Sequence, residues 1–240
     1  MRKLIIGAPF GNYITCEDAT STLGTYTLNP KSGRIWRSLL SVRYYWRIKS
    51  WVNKLGLPNP GIGTLKREDC INRILSIHGY NYDEWSRLIK HAIDLEPLSL
   101  ELNLSCPNVT KVAIKEAVEA ADLAHKLFGW RVIAKLAPIR WMDFVHPLVN
   151  VGIDWFHLCN TIDTPGGGIS GKALKQYSLW AVEEVRKTYD MVMIIGGGGI
   201  TCIQDAKDYL NAGANQVSVA SMLFNPLNWY KLPLFVSELK

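Results

Sequence analysis

No apolar run in the 240-residue chain approaches the ~20 residues needed to cross a bilayer. The apolar part of the opening Met-Arg-Lys-Leu-Ile-Ile-Gly-Ala-Pro is too short for a secretory signal, so a cytoplasmic protein is expected. Cysteine is sparse: Cys16, Cys70, Cys106, Cys159 and Cys202 stand far apart, without the paired spacing that holds zinc or an iron–sulfur cluster. Reduced thiols and no metal are therefore expected. No low-complexity linker or break in composition divides the chain, which reads as one domain over residues 1–240.

Acidic residues are missing altogether from Ala19 to Arg67, where Lys31, Arg34, Arg37, Arg43, Arg47, Lys49, Lys54, Lys66 and Arg67 are basic. The net charge of +6 is thus concentrated rather than spread. Within Lys31–Lys54 the cations alternate with Trp and Tyr, a mixture suited to nucleic acid or to an anionic membrane surface. The plainer reading is an insertion near an active site, its arginines attracting an anionic substrate and its aromatics packing on the body of the protein or on a second subunit.

What the chain does have is alternation. Short apolar runs are read as strands at Leu4–Ala8, Leu23–Leu28, Arg73–Ile77, Ser99–Leu104, Arg131–Leu136, Trp155–Leu158, Met191–Ile195 and Gln216–Val219. Between them the clearest helical periodicity covers Asp83–Asp94, Val112–Leu127, Ala173–Lys187 and Ile203–Asn211. Strands apolar throughout, alternating with helices, predict a parallel sheet in an α/β fold. Eight such units fit a (β/α)8 TIM barrel with a shortened first βα unit and a basic insertion before the third strand. An open doubly wound sheet is the alternative, because periodicity alone does not close a sheet.

In such a barrel the chemistry sits past the C-terminal ends of the strands. Asn103 ends the fourth strand and Ser105-Cys106-Pro107-Asn108 follow it, placing a thiol between two carboxamides. An isolated cysteine of this kind is more often inert. Lys135 ends the fifth strand among apolar neighbours, and Cys159-Asn160-Thr161 follow the sixth. Glycine-rich segments, Pro165–Lys172 after the sixth strand and Gly196–Ile200 after the seventh, offer backbone N–H groups to a phosphate. No Walker lysine follows them.

The run Asn-Leu-Ser-Cys-Pro-Asn at 103–108 resembles the signature of the dihydroorotate dehydrogenase family, in particular its soluble class with a cysteine base. Asn53-Lys-Leu-Gly-Leu-Pro-Asn59 is similar to another of its motifs, and together the motifs span about Leu4 to Phe224. The resemblance implies an FMN-dependent oxidoreductase converting dihydroorotate to orotate for pyrimidine synthesis. It assigns Cys106 as general base and Lys135 as support for the flavin. Substrate would meet Asn53, Leu55, Gly56, Leu57, Asn103, Asn108, Asn160 and Thr161. FMN would meet Ala8, Thr25, Asn103, Lys135, Cys159, Gly171, Gly198, Gly199, Ala220 and Ser221. A homodimer is also implied, and no nucleic acid; with no cluster-ligand cysteines, electrons are expected to leave through a small molecule such as fumarate, a quinone, or a partner subunit carrying other cofactors.

Three departures stand against the family pattern. Gly24 occupies the place of a second-strand lysine, the first βα unit is short, and the stretch after Asn108 lacks the usual glycine-rich lid. A dihydrouridine synthase-like reductase and a non-catalytic flavin- or pyrimidine-binding barrel are the competing readings. Substitution Cys106→Ala is expected to slow flavin reduction by dihydroorotate while bound FMN stays yellow, measured by anaerobic stopped-flow absorbance.

Overall fold

The computed structural model describes residues 2–33, 40–105 and 113–240. Eight parallel strands close into a barrel: β1 (Leu4–Ile6), β2 (Ala19–Tyr26), β5 (Ile74–Ile77), β6 (Ser99–Asn103), β7 (Val132–Leu136), β8 (Trp155–Leu158), β11 (Met193–Gly197) and β12 (Gln216–Val219). Closure comes from β12 pairing with β1, with Ile6 opposite Val219. The open doubly wound sheet is excluded.

A second, antiparallel sheet was not anticipated. Its strands are β3 (Arg43–Tyr45), β4 (Ser50–Asn53), β9 (Ile162–Thr164) and β10 (Gly167–Gly171), in the order β3-β4-β10-β9. The basic insertion thus supplies one hairpin, and the glycine-rich segment after β8 supplies the other. Gly168 pairs with Asn53 across their junction. Trp51 anchors the sheet, its ring 4.8 Å from Tyr44 and 4.9 Å from Phe224, which lies just past β12. Tyr45 and Trp46 remain exposed.

The helices follow ordinary rules. Helix α1 (Tyr82–Asp94) starts where the Asn81 side chain accepts a hydrogen bond from the Glu84 N–H, and Asp83 and Glu84 favour the positive end of its dipole. Its buried residues Trp85, Leu88, Ile89 and Ala92 recur at helical spacing and form one stripe. Helix α2 (Ile114–Phe128) buries Ala117, Ala120, Ala121 and Ala124, small residues that let it lie close to its neighbours. Helices α3 (Met142–Asn150), α4 (Lys175–Thr188), α5 (Ile203–Asn211) and α6 (Leu232–Leu239) complete the outer layer. Sequence periodicity passes over α3 because Pro147 lies inside it, normally a stop signal. After β1 there is only a 3₁₀ turn, Phe10–Asn12, so the first βα unit is short as expected.

Two strand boundaries move. The second strand begins at Ala19, earlier than its apolar residues suggest, because Thr20, Ser21 and Thr22 are buried within the barrel wall. The seventh runs to Gly197, so Gly196 and Gly197 belong to the strand and not to the loop after it. They are needed there: a Cβ on Gly196 would lie 2.8 Å from the Tyr209 ring, and one on Gly197 would lie 2.8 Å from the Ser218 carbonyl oxygen.

Inside the barrel, Ile5, Ile74, Ile133, Trp155 and Ile195 form a separate apolar plug. The remaining core lies between strands and helices. Leu88 is fully buried there, and Leu88→Ala is expected to lower unfolding free energy by about 2–5 kcal/mol, read from urea denaturation.

Candidate active site

Two residues beyond the plug, the strands change from apolar to polar. Side chains alternate along a strand, so Ile74 is followed on the same face by Ser76, Ile133 by Lys135 and Trp155 by His157. These three converge on Glu101 of β6, which is fully buried. Lys135 Nζ lies 3.3 Å from Glu101 Oε1, and His157 Nδ1 lies 2.7 Å from Oε2. Ser76 hydrogen-bonds the same carboxylate. On β1 and β11 the corresponding positions are Gly7 and Gly197, where the Ser218 and Cys159 side chains approach the backbone.

Burial alone would raise the Glu101 pKa, but the charge of Lys135 and the hydrogen bonds from His157 and Ser76 bring it down to about 2. A carboxylate only accepts, so His157 donates through Nδ1. Burial, reinforced by Lys135, lowers the His157 pKa and keeps the ring neutral, and its Nε2 has no hydrogen-bond partner among the described residues.

From Glu101 a chain of hydrogen bonds runs outward. Ser76 Oγ and Thr25 Oγ1 share a hydrogen bond of 3.0 Å. Thr25 accepts from Asn103 Nδ2 at 3.0 Å, and Asn103 Oδ1 accepts from Asn160 Nδ2 at 2.8 Å. Asn160 also donates to Ser105 Oγ at 3.3 Å, and its Oδ1 accepts from the Thr161 N–H at 2.9 Å. His78, just past β5, donates through Nδ1 to the Asn103 carbonyl at 2.8 Å, which fixes the backbone of the same residue.

The expected residues therefore fall into groups. Thr25, Asn103, Lys135, Asn160 and Thr161 are joined through the Glu101 network. Asn53 is held from the second sheet, its Nδ2 donating to the Gly168 carbonyl at 3.3 Å. Leu55, Gly56 and Leu57 follow it, with Leu55 N–H donating to Asn53 Oδ1 and the Leu57 carbonyl accepting from Asn59 Nδ2. Cys159 lies against the glycines, since a Cβ on Gly197 would be 3.3 Å from its sulfur. Burial pushes its thiol pKa up to about 11, so it lines the site without ionising. Gly199, at φ +71°, approaches so closely that a Cβ would be 2.9 Å from the Gly171 carbonyl oxygen. Ala8 and Ala220 follow the neighbouring ends of β1 and β12, and Ser221 opens a 3₁₀ turn. Cys106 and Asn108 lie outside the described residues.

Glu101, His157, Ser76 and His78 were not among the expected site residues. Each lies two positions before or after a residue of the interior face, and that spacing was the available signal. Gly24 is now explained structurally. Its φ is +110°, a Cβ would lie 2.4 Å from the Ser76 carbonyl oxygen, and Asn12 clamps both its N–H and its carbonyl at 3.0 Å. A lysine does not fit that backbone.

The dihydroorotate dehydrogenase family profile matches residues 12–232. The chain belongs to that family. It is 30% identical over 244 residues to the catalytic subunit of dihydroorotate dehydrogenase B (NAD(+)) of Thermotoga maritima, covering 90% of this chain and 88% of that protein. A Methanocaldococcus jannaschii protein of the same description is 28% identical, covering 82% of this chain and 72% of its own length. A ligand-free DHODH from Eimeria tenella superposes with a TM-score of 0.78 at 18% identity, over 99% of this chain and 82% of that one, which confirms the barrel fold. Dihydroorotate dehydrogenases are flavin-dependent oxidoreductases. Among the described residues no group of His, Cys, Asp and Glu is placed to hold a metal, and no helix is long and apolar enough to cross a membrane.

Because its pKa is depressed in the folded state, Glu101 contributes stability that is complete above about pH 5 and is lost as pH falls toward 2. Glu101→Gln is expected to cost about 3–5 kcal/mol at pH 7, since it leaves Lys135 buried without its partner. The substitution should also flatten the acid limb of the stability curve between pH 5 and 2, measured by urea denaturation across pH.

Proposed function

We propose that the chain is an FMN-dependent catalytic unit that oxidises dihydroorotate to orotate in pyrimidine biosynthesis. The reading is carried by one observation: Asn103 and Asn160, two of the expected substrate amides, are hydrogen-bonded to each other at 2.8 Å and tied through Thr25 and Ser76 to the Lys135 pair.

FMN, when bound, supplies the hydride acceptor. Lys135, Thr25 and Asn103 would hold its ring, with Cys159 beside it. Ala8, Gly171, Gly198, Gly199, Ala220 and Ser221 would meet the rest of the cofactor, the glycines doing so through backbone N–H groups. Absence of a Cβ at Gly199 and Gly171 supports this assignment, because their loops meet without a side-chain wall.

Cys106, at the mouth beyond β6, removes the C5 proton as the base. Asn53, Asn103, Asn108, Asn160 and Thr161 orient the pyrimidine by its amide and carbonyl edges, and the backbone of 55–57 lies against it. Lys135 places a fixed positive charge beside the ring that becomes electron-rich. The basic insertion raises the local concentration of an anionic carboxylate substrate. Electrons leave through a separate partner subunit, a reading supported by the relatives' description as catalytic subunits. The working unit is a cytoplasmic homodimer.

Anaerobic mixing of the FMN-loaded protein with dihydroorotate is expected to bleach the flavin absorbance near 450 nm, a wavelength on the order of any oxidised flavin's. Flavin that stays oxidised at saturating dihydroorotate would reject the substrate while leaving the cofactor in place.

A further inference from the structure

We propose that Glu101 is a positioning residue for the reaction, its carboxylate holding the Lys135 ammonium in place inside the barrel while His157 of β8 and Ser76 of β5 pin that carboxylate. The proposal deepens the flavin reading and rests on it, because Lys135 is the residue that would face the ring.

The geometry leaves little freedom. Lys135 reaches the surface with 10% of its side chain and Glu101 with none, so each ion replaces most of the other's lost hydration. His157 joins the set without adding charge. It is neutral, it donates its Nδ1–H to Glu101 Oε2 at 2.7 Å, and its Nε2 has no hydrogen-bond partner among the described residues. The group as a whole therefore carries one positive and one negative charge. Cys159 is the other titratable side chain that feels this pair, and its thiol is protonated.

Gly24 makes the arrangement matter more. Of the two lysines that the resemblance implies, only Lys135 is present, and the Asn12 clamp on Gly24 closes the other position. The positive charge offered to the ring from the barrel strands thus rests on one lysine. Glu101 is the counter-charge that lies 3.3 Å from that lysine in so dry a place. Asn160 donates to Asn103 and Asn103 to Thr25, whose hydroxyl is hydrogen-bonded to Ser76 beside the same carboxylate.

The test reads Lys135 directly and needs no flavin. Lysine labelled with 13C at Cε reports the protonation of each Nζ by NMR, with the Lys135 signal identified by its absence in Lys135→Arg. In Glu101→Gln the Lys135 signal is expected to titrate at a pH at least about one unit lower than in the unsubstituted chain, a tenfold change in proton affinity. Glu101→Asp, which keeps the charge, should restore most of that shift. With FMN bound, Glu101→Gln should also lower the flavin midpoint potential at pH values where Lys135 has lost its proton.

Identical Lys135 titrations in the two proteins would overturn the proposal and leave the flavin assignment standing. If Glu101→Gln loses its native circular dichroism, His157→Leu carries the test. Its Lys135 signal should move in the same direction, and an unmoved signal there overturns the proposal as well. A chain that takes up no FMN removes the flavin reading, and with it the role in the reaction, whatever the lysine titration shows.

Discussion

A carboxylate at the centre of a barrel has nowhere to leave its charge, and Glu101 imposes that problem on everything around it. An unpaired ion at such a depth is costly by several kcal/mol. The solution recruits one residue from each of three strands: Lys135 of β7 supplies the opposite charge, while His157 of β8 and Ser76 of β5 supply hydrogen bonds. Four strands are thereby held in a fixed rotation about the barrel axis. The polar layer above them is tied to this group by hydrogen bonds from Asn160 to Asn103, from Asn103 to Thr25, and between Thr25 and Ser76.

The barrel interior is accordingly graded. Isoleucines and Trp155 fill its lower part, and the same strands present Ser, Lys and His two residues further on. The lower layer contributes apolar burial and no directionality. The upper layer is costly to bury, yet every ion and hydroxyl in it that touches Glu101 is paired, and directional pairing is what holds chemical groups in place. Stability and function are separated by the length of two residues.

Access to the mouth is shaped by an element outside the barrel. The hairpin from the acid-free segment and the hairpin after β8 form one sheet, joined at Asn53 and Gly168 and anchored by Trp51 on Phe224. Cations and aromatics in that segment are explained in part by this sheet. Trp51 packs inward, while Tyr45 and Trp46 stay exposed. Nearby, Lys172 and Lys175 are both engaged by Asp205, whose carboxyl is held below its ordinary range by them and by Thr201, despite partial burial. Their charges are therefore committed to the protein itself.

Strand–helix alternation, the short first unit and the position of Asn103, Lys135 and Asn160 at strand ends were determined by the sequence alone, because periodicity is a local property of the backbone. Barrel closure was not, since it depends on β12 meeting β1 across the whole chain. The second sheet was equally hidden: its hairpins lie more than a hundred residues apart, and Gly167 and Gly168 look like a loop until Asn53 is seen opposite. Glu101 and His157 were visible as letters on an interior face. Only tertiary structure decided that they meet, because three strands must lie side by side in register before a carboxylate, an ammonium and an imidazole can share one buried site.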